Sequence, residues 1–318
     1  MKTLRHILAF ILVTHLALAG EAAPFIRKTS STNGVVQLET CIRHYRPASG
    51  TGPDIYLAGV AHIGATNYYA AIQKHLDAQK LVMFEGVGRA ETIEKGSGST
   101  TNRTKLAVGK DEVDITSLQT KLADALGLVF QLDAIEYDRP NFRNNDISLS
   151  QIQTKLKGQN ADTEKLLRML DGNGDVLKGF MKFISSDPKS RALVKFIMIE
   201  ALAKVGNDIE AITGIAPGMD GLMKVILTDR NEVIFHNLQT ELAKKDAPAS
   251  ISMFYGAAHM AGISKRLESD LHYRSVDEQW LPALAVNPTA EGVDPQAAGM
   301  IRFALQMAKQ LKAAQQKP

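Results

Sequence analysis

Short apolar runs along the chain predict buried strands, and three of them end in side chains that can bind a metal ion. Runs of about four to eight apolar residues without polar alternation are typical of strands that are covered on both faces. The three runs are Ile55–Val60 before His62, Leu81–Phe84 before Glu85, and Ile251–Tyr255 before His259. The first and the last share the pattern Gly-x-x-His, at Gly59 and at Gly256.

The intervening segments predict the rest of an α/β fold. The order of strand, helix and strand over 55–85, with helical spacing at Thr66–Leu76, predicts a parallel β-α-β unit with a right-handed crossover. Further strands are predicted at Val35–Tyr45, Leu128–Ala134 and within Arg274–Ala285, and an irregular segment at Ile135–Asp146. Further helices are predicted at Asp114–Leu126, Asp220–Leu227, Glu232–Leu242, Gly262–Glu268 and Asp294–Ala314.

The segment Ser148–Val205 has helical periodicity and little strand character. We therefore predict a mixed, largely parallel central sheet flanked by helices, with an all-helical insert around 148–217. Residues 24–318 are expected to form a single α/β domain of this kind.

The N-terminus has the pattern of a secretory signal. Lys2 and Arg5 precede the apolar stretch Leu8–Leu18, and small residues follow. We predict that residues 1–23 are a signal peptide and that the protein is periplasmic or secreted; the alternative is an uncleaved anchor. The single cysteine, Cys41, excludes an internal disulfide and is interpreted as a small buried residue.

The charge distribution excludes a nucleic-acid partner. The formal charge of +3 includes the two basic residues of the leader, so cleavage after Ala19 leaves about +1, and basic and acidic residues are interspersed. No stretch after the leader is long and apolar enough for a stable membrane span. A serine hydrolase or a zincin is disfavoured, because neither Gly-x-Ser-x-Gly nor His-Glu-x-x-His is present.

The three strand-end side chains form a candidate metal site. The carboxyl ends of parallel strands meet at one edge of a sheet, which would bring His62, Glu85 and His259 together. Two neutral imidazoles and a carboxylate can hold a divalent ion such as Zn, Mn or Co, and the spacing does not choose among them. The alternative is that both histidines are structural.

Four short motifs carry a resemblance to a known family. The chain has GVAH ending in His62, FEGV around Glu85 and YGAAHMAGISKRL around His259, and Thr228-Asp229-Arg230-Asn231 opens the preceding helix. In this combination it resembles the TraB/GumN family, which belongs with the Tiki metalloproteases and, more distantly, with erythromycin esterases and ChaN-like proteins. The insert at 148–205 matches no motif of that family.

The resemblance implies a metal-dependent hydrolase that acts on a peptide or another amide or ester. His62 and His259 would be metal ligands, Glu85 a ligand or the general base, and Arg230 a group that stabilises an oxyanion or orients a carboxylate. The alternative is a non-catalytic exported protein of the same fold that captures a peptide, a metal or a metal-bearing cofactor.

Two weaker candidates are interpreted as structural. Asp138–Asp146 follows a predicted strand and could place Asp138 or Asp146 near the cleft, but we favour a surface loop held by an Arg–Asp pair. Asp171–Asp175 resembles an EF-hand loop, yet Val176 and Lys182 stand where Gly and Glu are required, so it predicts a turn.

Overall fold

The computed structural model describes residues 24–86, 105–108, 111–157, 161–164, 175–205, 219–300 and 303. The predicted signal peptide, most of the Asp171–Asp175 turn and the end of the Asp294–Ala314 helix lie outside these residues. The prediction of an insert extending to residue 217 is described only as far as residue 205.

A seven-stranded sheet forms the centre of the described chain. Its strands are β1 (Ile26–Ser30), β2 (Val36–Pro47), β3 (Asp54–Val60), β5 (Leu81–Phe84), β9 (Phe142–Asn144), β10 (Ser250–Gly256) and β11 (Tyr273–Val286). Two small ladders lie outside it: β4 (Ile63–Gly64) with β8 (Val129–Phe130), and β6 (Lys105–Val108) with β7 (Asp111–Asp114).

The strand order puts the C-terminal Gly-x-x-His strand in the middle of the parallel part. β10 pairs in parallel with β3 on one side and with β5 on the other, and β5 pairs in parallel with β9. β2 is antiparallel to β3, to β1 and to β11, so it alone runs against the other strands of this sheet. The predicted mixed, largely parallel sheet is therefore confirmed.

Helices cover both faces of the sheet. They are α1 (Thr66–Asp77), α2 (Ile115–Leu126), α3 (Gln131–Ala134), α4 (Leu149–Lys157), α5 (Asp175–Ser186), α6 (Pro188–Val205), α7 (Met219–Met223), α8 (Asp229–Leu242) and α9 (Ala257–Ser269). A π-helical turn, Lys224–Thr228, joins α7 to α8.

Two hydrophobic cores follow from the alternation of side chains along the strands. On one face Phe254 packs with Ile72 of α1 and Phe196 of α6. On the other face Met253 packs with Phe235 of α8 and Ile263 of α9. Because β10 is buried on both sides, it is apolar almost throughout, which is what made it recognisable in the sequence.

Several predicted elements are confirmed within one or two residues, and others are wrong. The strands predicted at Val35–Tyr45 and Arg274–Ala285, and the helices at Thr66–Leu76 and Asp114–Leu126, agree with β2, β11, α1 and α2. The strand predicted over Leu128–Ala134 is wrong beyond Phe130, because the chain turns there into α3. The helix predicted at Gly262–Glu268 begins five residues earlier, at Ala257.

The predicted insert is helical wherever the structure describes it. It contributes α4, α5 and α6, and α6 packs on the sheet through Phe196 and Ile199. Cys41 is fully buried, as predicted, and burial raises the pKa of its thiol to about 12. No helix among the described residues combines the length and hydrophobicity needed to cross a bilayer.

Candidate functional site

Four neighbouring strands end at the same edge of the sheet, and each delivers a polar side chain there. In the order β3, β10, β5, β9, the chain contributes His62, His259, Glu85 and Asp146 just beyond the strand ends. The site therefore forms where the parallel sheet places it, at the carboxyl ends of its strands.

Gly256, the last residue of β10, lies between two of these groups. A Cβ atom placed on Gly256 would lie 3.1 Å from His62 Nε2 and 3.4 Å from Glu85 Oε2. His259 Nε2 lies 3.9 Å from Glu85 Oε1. The structure thus places His62, Glu85 and His259 around the same space beside Gly256, at one edge of the sheet.

Glu85 is held as a carboxylate by groups from three elements. Its Oε1 accepts a hydrogen bond from Arg230 Nη2 at 2.7 Å, and its Oε2 accepts one from the Gly256 N–H at 2.8 Å, at the N-terminus of α9. Burial opposes its ionisation, but the guanidinium of Arg230, with His259, His62 and the Gly256 amide, holds the pKa of Glu85 well below its usual range.

Arg230 is buried between two carboxylates. It donates from Nε and Nη2 to Asp146, at 3.0 and 2.5 Å, as well as from Nη2 to Glu85. Its Nη1 donates to the carbonyl of Ile226 in the π-helical turn, which holds the same guanidinium group from a third side. Although burial works against the charge, Glu85 and Asp146 raise the pKa of Arg230, so the guanidinium stays protonated.

The position of Asp146 corrects our interpretation of the segment Asp138–Asp146, which contains β9. We favoured a surface loop for Asp138–Asp146, but the Asp146 side chain is fully buried and forms a bidentate pair with Arg230. Burial, with a smaller effect from the negative charge of Glu85, raises the pKa of Asp146, although Arg230 opposes this.

His62 is fixed in place through α3. Its Nδ1 lies 2.9 Å from Gln131 Oε1, and its carbonyl accepts the backbone N–H of Gln131 at 2.8 Å. The preceding peptide is held by two tyrosines of α1, since the Ala61 N–H donates to Tyr68 Oη and Tyr69 Oη donates to the Ala61 carbonyl. The short ladder of β4 with β8 brings α3 to this position.

His259 is fixed from the opposite helix layer. It lies in the first turn of α9, and its Nδ1 is 2.7 Å from Oδ1 of Asn231, the residue after Arg230. Its side chain is almost wholly buried, and this burial lowers the pKa of His259 to about 3. The ring is therefore neutral at physiological pH.

The sequence does not predict the contact of Gln131 with His62, and for Asp146 it favours a surface loop over a place near the cleft. The sequence predicts Gln131 within a strand, and the contact of Gln131 with His62 spans 69 positions of the chain. The contact of Asp146 with Arg230 spans 84 positions. The signal that pointed toward Asp146 was its place after a candidate strand, the same signal that identified Glu85.

The side chains at the site carry donor atoms of the kinds that bind divalent metal ions in proteins. Within the described residues, neither His62 Nε2 nor His259 Nε2 has a hydrogen-bond partner, and each ring meets an oxygen atom at Nδ1. Metal-binding histidines in proteins have this arrangement, in which the second nitrogen donates to an oxygen and the first keeps its lone pair for the ion. As the side chains stand, no three His, Cys, Asp or Glu residues of the described ranges form a complete ligand set.

The chain was compared with known proteins. No family model matches it, and no curated protein and no solved structure matches it either.

Proposed function

We propose that the protein is a metal-dependent hydrolase of the TraB/GumN type, with His62, His259 and Glu85 as the residues that hold a divalent ion. The observation that carries this proposal is the pair of imidazoles, each of which meets an amide oxygen at Nδ1. His259 Nε2 lies 3.9 Å from Glu85 Oε1, and His62 Nε2 faces the same space beside Gly256. Two lone pairs and a negative charge in one buried space favour a bound cation.

His62, His259 and Glu85 would hold the ion, which would supply Lewis-acid chemistry, acidifying a water and polarising a substrate carbonyl. The nature of the protein ligands leaves Mn, Co and Zn as candidates. The substrate class that fits this chemistry is a peptide, or another amide or ester.

Glu85 fits the role of ligand better than that of general base. Both of its oxygens already accept strong hydrogen bonds, one from Arg230 and one from Gly256. A carboxylate in this environment is a weak proton acceptor, whereas a general base works best when its pKa lies near the working pH.

Arg230 fits the role of a residue that orients a carboxylate. Three of its hydrogen bonds go to Asp146 and Glu85, and the side chain is buried. A guanidinium engaged in this way holds Glu85 ionised and correctly directed. It is not free to approach a substrate unless one of these bonds breaks.

The pairing of Arg230 with two carboxylates also favours a second candidate function. This candidate is a protein of the same fold that binds a metal or a metal-bearing ligand without turnover. An enzyme of this type would use a cation directed at the substrate, and Arg230 is instead paired with Asp146. The two candidates share the metal site and differ in whether a substrate is hydrolysed.

The first test is the metal content of the purified protein, measured by mass spectrometry for the wild type and for the double variant His62→Ala/His259→Ala. We expect a near-stoichiometric ion in the wild type and its loss in the double variant. The matched control is His236→Ala, because His236 is exposed on α8, away from the site, and this variant is expected to keep the ion.

A wild type that stays free of metal after incubation with each ion would refute the proposal, and so would a folded double variant that keeps the ion. Peptide, amide and ester substrates are then offered to the loaded protein. Hydrolysis that disappears in the double variant supports the enzyme, and metal binding without hydrolysis supports the binding protein.

A further inference from the structure

Two carboxamide side chains from unrelated parts of the chain make the same contact with the two histidines. Gln131 Oε1 lies 2.9 Å from His62 Nδ1, and Asn231 Oδ1 lies 2.7 Å from His259 Nδ1. Gln131 begins α3, and Asn231 is in the first turn of α8. The two histidines therefore have the same kind of partner, a carboxamide oxygen, at Nδ1.

The direction of the Asn231 carboxamide is set by what its NH₂ group meets. Asn231 Nδ2 faces the backbone carbonyl of His259 at 3.4 Å, a group that can only accept. Turning the Asn231 amide over would place two oxygen atoms against each other. The Oδ1 atom therefore faces His259 Nδ1, and His259 must carry its proton on that nitrogen.

Gln131 is held in the corresponding way on the other side. Its Nε2 donates to Tyr137 Oη at 2.9 Å, and its side chain is almost completely buried. Its Oε1 is left to accept from His62 Nδ1. A buried carboxamide costs free energy unless each of its polar atoms is satisfied, and with Nε2 on Tyr137 both ends of Gln131 are satisfied when His62 carries its proton on Nδ1.

We propose that Gln131 and Asn231 are positioning residues that fix His62 and His259 in the Nδ1–H tautomer and direct both Nε2 lone pairs toward Glu85. That this arrangement serves metal binding rests on the proposed function. The tautomers themselves are properties of the protein without metal. The use of neutral amides instead of carboxylates also keeps the ligand set at a single negative charge, that of Glu85, which leaves more of the positive charge on a bound ion.

The test removes each acceptor while keeping the shape of the side chain. The variants are Gln131→Met and Asn231→Leu, and Gln131→Glu is the conservative variant that retains the acceptor, because the Tyr137 hydroxyl can turn to donate. The control is Gln279→Leu, since Gln279 is exposed on β11 and remote from both histidines. Circular dichroism establishes that each variant is folded.

The readout is the tautomer of each ring in metal-free protein, observed by ¹⁵N nuclear magnetic resonance of labelled histidine. Signals are assigned by their loss in His62→Ala and His259→Ala. We expect the Nδ1–H form at both positions in the wild type, the control and Gln131→Glu. Gln131→Met is expected to lose it at His62 alone, and Asn231→Leu at His259 alone.

Titration with Zn and Co gives the second readout. Gln131→Met and Asn231→Leu are each expected to bind the ion about 10- to 100-fold more weakly than the wild type, and Gln131→Glu at least as tightly. An Nε2–H form in the wild type, or an unchanged tautomer in folded Gln131→Met and Asn231→Leu, would overturn the inference. A wild type with the expected tautomers that binds no ion would instead refute the proposed function, so that the two failures are distinguishable.

Discussion

Gly256 lies where the candidate ligands meet, so a side chain at this position would enter the space between them. Its backbone has φ −47° and ψ 135°, which an L-residue adopts without strain. A Cβ would lie 3.1 Å from His62 Nε2. Gly256→Ala is therefore expected to remain folded, with its free energy of unfolding within about 1 kcal/mol of wild type, and to bind a metal ion at least about tenfold more weakly.

Calorimetric titration and denaturation of the same preparations check this expectation. The control is Gly299→Ala, because a Cβ on Gly299 meets no heavy atom within 4 Å. If Gly256→Ala binds the ion as tightly as Gly299→Ala does, the space beside Gly256 is not the metal site.

At the scale of single residues, the sequence identifies those side chains whose position is determined by the strand that they follow. His62 and Glu85 directly follow apolar runs, so their position at the sheet edge needs no other information. The functional contact of Asp146 depends on which helix packs behind β9. No local pattern reports that packing, and a polar segment such as 138–146 is more often a surface loop.

Among the helices, α2 offers a direct test of how its end is formed. Gly127 follows α2 with φ +65°, and two backbone hydrogen bonds close the turn, from the Gly127 N–H to the Asp124 carbonyl and from the Leu128 N–H to the Ala123 carbonyl. This is a left-handed helix end, which a residue with a Cβ adopts at a cost. Gly127→Ala is expected to lower the free energy of unfolding by about 1 kcal/mol.

The substitution to compare with Gly127→Ala is a second Gly-to-Ala change, within helix α5. Gly179 is exposed inside α5, and a Cβ on it meets no heavy atom within 4 Å. Gly179→Ala is expected to raise the free energy of unfolding by up to about 1 kcal/mol, since alanine favours the helix. Urea denaturation of both variants measures the difference, and equal effects of one sign would contradict this account of α2 and α5.

Elements were predictable where one physical cause dominates. β10 is buried on both faces and reads as a continuous apolar run, and α1 has one buried face. The predicted strand at Leu128–Ala134 failed because Gln131 leaves the strand to bind both the carbonyl and the ring of His62. β9 has only three residues, too few for an alternation to show.

For the molecule as a whole, the order of strands decides which residues meet, and it is a property of long-range packing. The sequence predicts that β3 and β5 are parallel, but nothing in it states that β10 inserts between them. This insertion places the first turn of α9, and with it His259, between His62 and Glu85. A β-α-β unit with its two strands adjacent would leave His259 at the margin of the site.

The stability of the whole molecule is expected to fall on acidification because histidines are buried in the neutral form. His75 of α1 lies under the sheet with Nε2 3.3 Å from Ser252 Oγ and its ring against Tyr56. Burial, with a smaller effect from His44, lowers the pKa of His75 from 6.5 to about 4. Above pH 6.5 the ring is neutral in both the folded and the unfolded chain, so the shift has no effect there.

Between pH 6.5 and pH 4 the unfolded chain binds a proton at His75 that the folded chain does not, so the free energy of unfolding falls with pH. At pH 4.5 this loss is about 2 to 3 kcal/mol for His75. We expect His75→Gln, which keeps a partner for Ser252, to lose that much less stability than wild type between pH 7.5 and pH 4.5 in urea denaturation. The exposed control His236→Gln is expected to lose as much stability as the wild type over this pH range. An equal loss of stability in all three proteins would mean that His75 titrates as it does in the unfolded chain.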